Sequence, residues 1–467
     1  MTVLRARSAV LAGCLVAAVA GPGAPSTAAP MSPARPTRVA ARQAPPAKPS
    51  ILLREPVLGA PPTAAGVRRA LTPLLADRAL GRRVGVTVTD AETGAVLFAR
   101  SPGLAGTPAS TMKLVTAVTA LTVLPRDTVF ETRLLATAPT VKGVVKGDLV
   151  LVGDGDATLT STSTAEGYPQ PAGLSAFAAA VQRAGITRVT GDVRVDGSRY
   201  SGPSTAPGWK PTYVTEGSVA PVTALTVDSG RQYAGSTRGP RVNRPDYLAG
   251  QRFAAMVRGR GVRVDGTVRR GVAPAGAVEI ATVASPPVPA LVERMLQRSD
   301  NNLAEALLRR SARERGLPES FAGGARVARD VLAELGVPSA GLVVRDGSGL
   351  SRQDRVSPAT LSALLAAAAA EDATRLRALL PSLAAAGFNG TLVNRYRAPG
   401  LATAAGFVRG KTGTLNHVTT LAGVVTTRSG HLLTFAVVAD AVPTPSVGAA
   451  SRAVDRAVAR LATCGCA

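Results

Sequence analysis

Val84-Gly85-Val86-Thr87-Val88-Thr89 alternates apolar and polar side chains, Ala91-Glu92-Thr93-Gly94 supplies a turn, and Ala95-Val96-Leu97-Phe98 returns. Period-two alternation broken by a glycine-containing turn reads as a β-hairpin. A second such pair lies near the other end of the chain, in residues 421–426, the turn Arg428-Ser429-Gly430, and residues 432–438. Hairpins join antiparallel neighbours, so the sheet they build is antiparallel and unlike a doubly wound parallel one. Working outward, Thr107-Pro108-Ala109-Ser110 opens an apolar-rich helix that runs to about Leu124. Proline suits a helix start because its φ is already fixed and its missing N–H is not needed there. With so few charges, that helix belongs in the interior. Helical spacing returns after Pro286, at residues 291–310, 325–335 and 361–370, and in a closing helix over 446–461 with Val454, Ala457, Val458 and Leu461 on one face. The two ends of the chain, residues 63–135 and 281–467, therefore read as one α/β (α+β) domain. Between them, residues 136–280 carry short strands (147–152, 191–196) and one amphipathic helix with Leu174, Phe177, Ala178 and Val181 on its apolar face. This middle stretch reads as a β-rich insertion.

The chain begins with Arg5 and Arg7, an apolar run from Ala9 to Ala20, and small residues through Ala29. A basic start, a short apolar run and a small-residue zone make residues 1–29 an export signal. The run is shorter than the ~20 residues a spanning helix needs. Leu11-Ala12-Gly13-Cys14 resembles a lipoprotein cleavage box, and membrane attachment is expected only if Cys14 is lipidated. Residues 30–62 are rich in Pro and Ala and carry Arg35, Arg38, Arg42, Lys48 and Arg54 against Glu55 alone. They read as an extended linker.

With 467 residues and 46% apolar content, the chain has enough material for a real core. Its net charge of +24 is spread along the whole length. No basic motif interleaved with aromatics occurs, which argues against nucleic acid. An anionic cell wall would attract such charge by the same long-range force, and charge alone does not choose between the two. Two histidines and three cysteines, Cys14, Cys464 and Cys466, are too few and too poorly spaced for a metal site, and no cofactor is expected.

Three short motifs carry the chemistry. Ser110-Thr111-Met112-Lys113 places a lysine one helical turn from a serine. A serine hydroxyl is a poor nucleophile until a base takes its proton. A lysine is such a base when burial and a cationic neighbour lower its pKa. Ser299-Asp300-Asn301 offers a hydroxyl for proton relay and an amide that can hold a peptide backbone. Lys411-Thr412-Gly413-Thr414 precedes the last hairpin on an expected edge strand. Lys411 brings positive charge, Thr412 and Thr414 can bind a carboxylate, and Gly413 lets substrate backbone lie close. Each motif alone also fits a helix start, a helix cap or a turn.

Together and in this order, the three are the signature of β-lactamases and penicillin-binding proteins. The long stretch between Ser110 and Ser299 resembles the low-molecular-mass class C penicillin-binding proteins, the D-alanyl-D-alanine carboxypeptidase/endopeptidase family, whose members carry domains inserted there. Residues 153–159 (Gly-Asp-Gly-Asp-Ala-Thr-Leu), 220–227, Ser285-Pro286-Pro287, residues 299–305, 346–352 (Asp-Gly-Ser-Gly-Leu-Ser-Arg) and Gly390-Thr391-Leu392 are similar to segments of that family, with Ala157 where the family has proline. The resemblance implies a penicillin-binding/β-lactamase-like domain interrupted by the insertion. It further implies Ser110 as acylated nucleophile, Lys113 as its base, and Ser299 and Lys411 in proton transfer. Asn301, Thr412, Gly413 and Thr414 would hold substrate, and the backbone N–H groups of Ser110 and Thr414 would form the oxyanion hole. Arg352 and Asp156 either read a stem-peptide side chain or are plain surface or turn residues. Peptidoglycan stem peptides are then the substrate and β-lactams covalent inhibitors. A β-lactamase remains an alternative, though no carboxylate to activate a deacylating water is evident. A non-catalytic wall-binding protein is the alternative of another class. A Ser-His-Asp hydrolase is disfavoured, because Gly-x-Ser-x-Gly is absent and His417 and His431 lie together near the last strands.

Overall fold

A computed structural model of the chain describes residues 59–162, 170–370, 372–463 and 466–467. The export signal, Cys14, the linker as far as residue 58, and Cys464 lie outside the described residues. The described residues begin with α1 (Ala64–Leu71), the hairpin β1 (Val84–Asp90) and β2 (Val96–Arg100), and α2 (Met112–Val123). Residues 131–284 then give β3 (Glu131–Ala136), β4 (Thr140–Val141), β5 (Val144–Val145), β6 (Leu149–Val152), α3 (Leu174–Arg183), β7 (Arg188–Val189) and β8 (Val193–Asp196). They continue through α4 (Pro245–Gly259), β9 (Arg263–Val264), β10 (Val268–Arg270) and β11 (Val278–Ala284). Helices follow as α5 (Val288–Arg298), α6 (Asn301–Glu314), α7 (Phe321–Glu334), α8 (Pro358–Ala369) and α9 (Leu379–Ser382). The chain closes with β12 (Ala384–Ala385), β13 (Val408–Leu415), β14 (Val418–Thr426), β15 (Leu432–Ala439) and α10 (Val447–Thr463).

The two expected hairpins meet in one antiparallel sheet of order β12-β13-β14-β15-β1-β2. Pairing of β1 with β15 joins them, with Val84 opposite Ala439 and Asp90 opposite Leu433. Alternation along β14 sends Ala422 and Val424 to one face, where they pack with α2, α5, α6, α7 and α8. Leu421 and Val425 point to the other face and pack with α1 and α10. A central strand covered on both faces has little need of polar residues, and β14 is buried at every position from Val418 to Val425.

A second sheet, β10-β8-β6-β3-β11, encloses its own core with α3 and α4. Its paired strands β3 and β11 reach past residues 136–280, back to Glu131 and on to Ala284. The two stretches read as strands, β6 and β8, lie side by side and parallel. A small four-stranded sheet, β4-β5-β7-β9, completes this region.

The structure corrects one helix. Residues 291–310 do not form a single helix: α5 ends at Arg298, Ser299 takes a left-handed conformation (φ 54, ψ 41), and α6 restarts at Asn301. The Asp300 carboxylate caps the new helix by accepting from the Leu303 N–H at 3.1 Å. The break falls within the second motif and turns it toward the first.

Candidate active site

Ser110 sits in a tight 3-10 turn, residues Ala109–Thr111, directly ahead of α2. Ala109 has φ 47, and its carbonyl oxygen fills the space where a side chain at Gly349 would be, 1.8 Å from the ideal Cβ. A left-handed alanine costs of order 1–2 kcal/mol, so surrounding contacts must impose this turn. One turn on, Lys113 is fully buried, and its Nζ donates to Ser110 Oγ at 3.1 Å, to Asn301 Oδ1 at 2.6 Å and to the Ser348 carbonyl at 2.7 Å. An ammonium has three donors and finds three acceptors here. When neutral, the amine keeps two protons for the shorter contacts to Asn301 and Ser348, and its lone pair faces the Ser110 hydroxyl.

Burial pulls the Lys113 pKa down to about 8, while the carboxylates of Asp346, Glu305, Asp300 and Asp354 pull the other way. The expectation that a second lysine lowers Lys113 is therefore corrected. Repulsion between the two lysines falls on Lys411, which is also fully buried and is held well below the ordinary lysine range, by burial first and by Lys113 second. Lys411 Nζ donates to the Thr412 carbonyl at 2.9 Å.

Lys411, Thr412, Gly413 and Thr414 lie on β13. Its neighbour β12 pairs only with Arg409 and Gly410, so beyond Gly410 β13 presents an open edge among the described residues. Thr414 is exposed, and Thr412 Oγ1 donates to Thr391 Oγ1 at 2.9 Å. Gly413 has a different role from the one expected. A Cβ there would come within 2.1 Å of Thr420 Oγ1, 2.7 Å of the Pro108 carbonyl and 3.0 Å of the Ser110 nitrogen. The missing side chain makes room for the turn that carries Ser110, and substrate backbone is not what fills it.

Asn301 bridges the site, since its Nδ2 donates to the Ser218 carbonyl at 2.8 Å while its Oδ1 holds Lys113. Next to it, Asn302 exchanges two hydrogen bonds of 3.1 Å with the backbone of Ala220. The long middle region thus reaches the site through residues 218–220. Ser299 is half-buried beside Asn301.

Several site residues carried no role in the sequence reading. Glu305 is buried, and its two oxygens accept from the Gly347 and Ser348 N–H groups at 2.9 Å each. Asp346, also buried, accepts from Gly349 N at 2.6 Å, Ser351 N at 2.7 Å and Trp209 Nε1 at 2.6 Å. These carboxylates shape the loop whose Ser348 carbonyl receives Lys113. Burial raises the Glu305 pKa to about 7, helped by Asp346, and raises Asp354 well above its usual range. The signal lay in Asp346-Gly-Ser-Gly-Leu-Ser351 and in Glu305 four residues after Asn301, but nothing local tied either to Lys113.

Arg352 is half-buried beside the end of β13 and donates to the Asn416 carbonyl at 3.2 Å. Asp156 does not face a substrate: it is buried, and it closes a turn by accepting from the Thr158 N–H and hydroxyl at 2.7 and 2.6 Å. His417 and His431 cap opposite ends of β14, where His417 Nδ1 meets the Val442 carbonyl and His431 Nε2 the Gly59 carbonyl, each at 3.0 Å. Cys466 is buried and disulfide-bonded. Among the described residues no group of His, Cys, Asp and Glu is arranged to hold a metal ion, and no helix is long and apolar enough to cross a membrane.

Comparison with known proteins bears on this site. The profile of the D-Ala-D-Ala carboxypeptidase 3 (S13) family matches residues 67–241 and 231–463. A carboxypeptidase of Mycobacterium tuberculosis is 36% identical over 412 residues, covering 87% of this chain and 86% of that one. Carboxypeptidase DacB of Mycolicibacterium smegmatis is 37% identical over 414 residues, covering 88% and 86%. The crystal structure of penicillin binding protein 4 from Haemophilus influenzae superposes with a TM-score of 0.70 at 23% identity, covering 84% of this chain and 97% of that one, which shows a shared fold.

Proposed function

Because the chain belongs to the D-Ala-D-Ala carboxypeptidase 3 (S13) family, we propose that it is a serine-type D-alanyl-D-alanine carboxypeptidase acting on peptidoglycan stem peptides through an acyl-Ser110 intermediate. The observation that carries this reading is the contact between Lys113 Nζ and Ser110 Oγ at 3.1 Å, made by a fully buried lysine whose pKa is pulled down to about 8. At neutral pH about a tenth of such lysines are unprotonated and able to act as base.

Lys113 takes the Ser110 proton as Oγ attacks the carbonyl of the penultimate D-Ala. The new C–O bond forms, and the carbonyl oxygen becomes an oxyanion that the backbone N–H groups of Ser110 and Thr414 receive. The C–N bond then breaks, and the proton passes by way of Ser299 to the leaving amine. Thr412 and Thr414 hold the terminal carboxylate, and that anion favours the ammonium form of Lys411, which burial and Lys113 disfavour in the free site. Water, deprotonated by the same lysine, hydrolyses the ester and restores Ser110. A β-lactam presents an acyl–nitrogen bond to the same serine, and its ring nitrogen stays tethered, so the adduct persists. Residues 1–29 serve export, residues 30–62 act as a tether, and the excess of basic residues along the rest of the chain keeps the protein near anionic wall polymers.

The test is the intact mass of the purified protein, followed over time after a β-lactam pulse, with Ser110→Ala alongside and D-Ala release measured in parallel. A lasting adduct on the wild type that is absent from the variant is the expected result. An adduct that decays within minutes would replace this reading with a β-lactamase, and the absence of any adduct would replace it with a non-catalytic wall-binding protein.

A further inference from the structure

Through much of the inserted region, arginines are matched by acids: Arg194 by Asp148, Arg269 by Asp192, Arg270 by Asp246 and Arg252 by Asp228. One end differs. Residues 140–146 carry Lys142 and Lys146, residues 182–190 carry Arg183 and Arg188, and residues 258–265 carry Arg258, Arg260 and Arg263 against a single acid, Asp265. Asp265 is shared between Arg188, at 2.7 Å, and Arg263, at 2.6 Å, so one charge of even that pair remains.

The small sheet β4-β5-β7-β9 gathers these segments. Val141 stands opposite Val144, Val144 beside Arg188, and Arg188 beside Arg263. Successive strand residues point to opposite faces. Val145, Val189 and Val264 point into the core shared with α3 and α4, so Val144, Arg188 and Arg263 point outward, and Lys146 shares their side. At the end of the sheet three turns lie together. The Thr187 N–H donates to the Gly143 carbonyl at 2.8 Å, the Arg263 N–H to the Thr187 carbonyl at 2.9 Å, and Gln182 Nε2 to the Arg260 carbonyl at 3.4 Å. Lys142 and Gly143 have φ 47 and 78, the two-residue hairpin turn that puts Lys142 at its apex. Lys142, Lys146, Arg183 and Arg260 are exposed, and among the described residues their side chains have no hydrogen-bond or ion-pair partner. Helix C-termini favour cations, which accounts for Arg183, Arg258 and Arg260 at the ends of α3 and α4, but not for Lys142, Lys146, Arg188 or Arg263.

From this end the chain runs on through β6 to the junction with α6, where Asp154 pairs with Arg313 at 2.9 Å. Extended chain from Val144 to Val152 covers about 25 Å, which sets the basic end well apart from that junction. Like charges gathered on one surface repel one another until an anion covers them. The three segments hold no aromatic residue, so they lack the stacking surface that binds single-stranded nucleic acid and the apolar wedge that enters lipid. A flexible chain with one phosphate per unit needs neither, because guanidinium and ammonium groups bind its oxygens directly.

We infer that this end of the insertion is a docking surface for a phosphodiester polymer of the cell wall. The inference deepens the reading that basic residues keep the protein near anionic wall polymers, by assigning that role to one surface instead of to charge spread along the chain.

The probe is a fluorescently labelled poly(glycerol phosphate) chain, titrated by anisotropy with the full chain over about 0.05–0.2 M salt. Lys142→Gln/Arg183→Gln/Arg260→Gln should weaken binding about tenfold at low salt and flatten the slope of log K against log salt by about two. Arg68→Gln/Arg69→Gln/Arg82→Gln removes as much charge from exposed positions in and after α1 and should weaken binding less than about twofold. β-Lactam acylation and the urea midpoint should stay unchanged in both. A lysine-acetylation footprint of the wild type needs no variant to fold: the polymer should shield Lys142 and Lys146 and leave Lys210 open. Equal weakening in the two variants, or no shielding at Lys142 and Lys146, would overturn the docking surface and leave only attraction by overall charge. No binding by the wild type would overturn that attraction as well. Tighter binding to phosphatidylglycerol vesicles or to polyglutamate than to the phosphate polymer would overturn the choice of partner.

Discussion

Glu305 acts on Lys113 through one intervening loop: its carboxylate accepts from the N–H groups of Gly347 and Ser348 at 2.9 Å each, and the Ser348 carbonyl accepts from Lys113 Nζ at 2.7 Å. Because the two N–H groups use different oxygens of Glu305, a carboxylate fits there and an amide does not. Glu305→Gln should turn one acceptor into a donor facing a donor, loosen the loop, and lower the rate of β-lactam acylation about tenfold. Removing a nearby anion also removes an influence that raises the Lys113 pKa, so the midpoint of the pH–rate profile should move down. Acylation rates across pH for both proteins check this. A slower rate with an unmoved midpoint would reduce Glu305 to a packing role.

Acylation of the wild type should rise with pH and level off above about pH 8, as Lys113 loses its proton. The sign follows from the chemistry, because only the neutral amine accepts the serine proton. Charges that tune this step are Asp346, Glu305, Asp300 and Asp354, which raise the midpoint. Quenched-flow acylation over about pH 6 to pH 10 measures the curve, and a flat profile would exclude Lys113 as the base.

At Gly413, even a methyl group should be intolerable. Its carbon would sit 2.1 Å from Thr420 Oγ1 and 2.7 Å from the Pro108 carbonyl, so β13 or the Ser110 turn must move. A displacement near 1 Å at a reacting atom costs about 100-fold in rate. Gly413→Ala should therefore lose about two orders of magnitude in acylation, with a stability loss of about 1–3 kcal/mol. Acylation kinetics beside a urea titration separates the two effects.

Trp209 donates from Nε1 to Asp346 at 2.6 Å and packs edge-on against Phe321, with ring centroids 5.6 Å apart. Trp209→Phe keeps most of the packing and loses the hydrogen bond. Since the indole is only half-buried, the loss should be about 1 kcal/mol in urea unfolding, with acylation reduced less than about fivefold. An unchanged urea midpoint would show that the contact carries no stability.

The sheet was legible because its strands announce themselves locally. Val84 to Thr89 alternates, and the 421–438 pair brackets its turn at Arg428-Ser429-Gly430. Helix α6 was harder, because Ser299 interrupts an apolar spacing that runs straight through it, and only the left-handed backbone there reveals the break. The three motifs located the Ser110–Lys113 contact, since i and i+3 on a helix meet whatever the rest of the chain does. What surrounds Lys113 was not legible in the same way: Glu305 arrives on α6 and Asp346 and Ser348 on one later loop, and their meeting is a property of packing. The same holds for Gly413, whose open side faces the Pro108–Ser110 turn because β13 lies against it.

Strand β1, the first strand among the described residues, lies between β2 and β15, with Val84 opposite Ala439. Strand β13 is joined to β1 through β14 and β15. Closing so long a loop carries a large entropic cost before any strand contact rewards it, which makes such pairings late events in folding. The hydroxyl at Ser110 and the edge at Lys411 are therefore brought into register only once the final hairpin has been laid down. A chain that stops short of β13 has Ser110 but neither Lys411 nor the strand against which the serine turn packs.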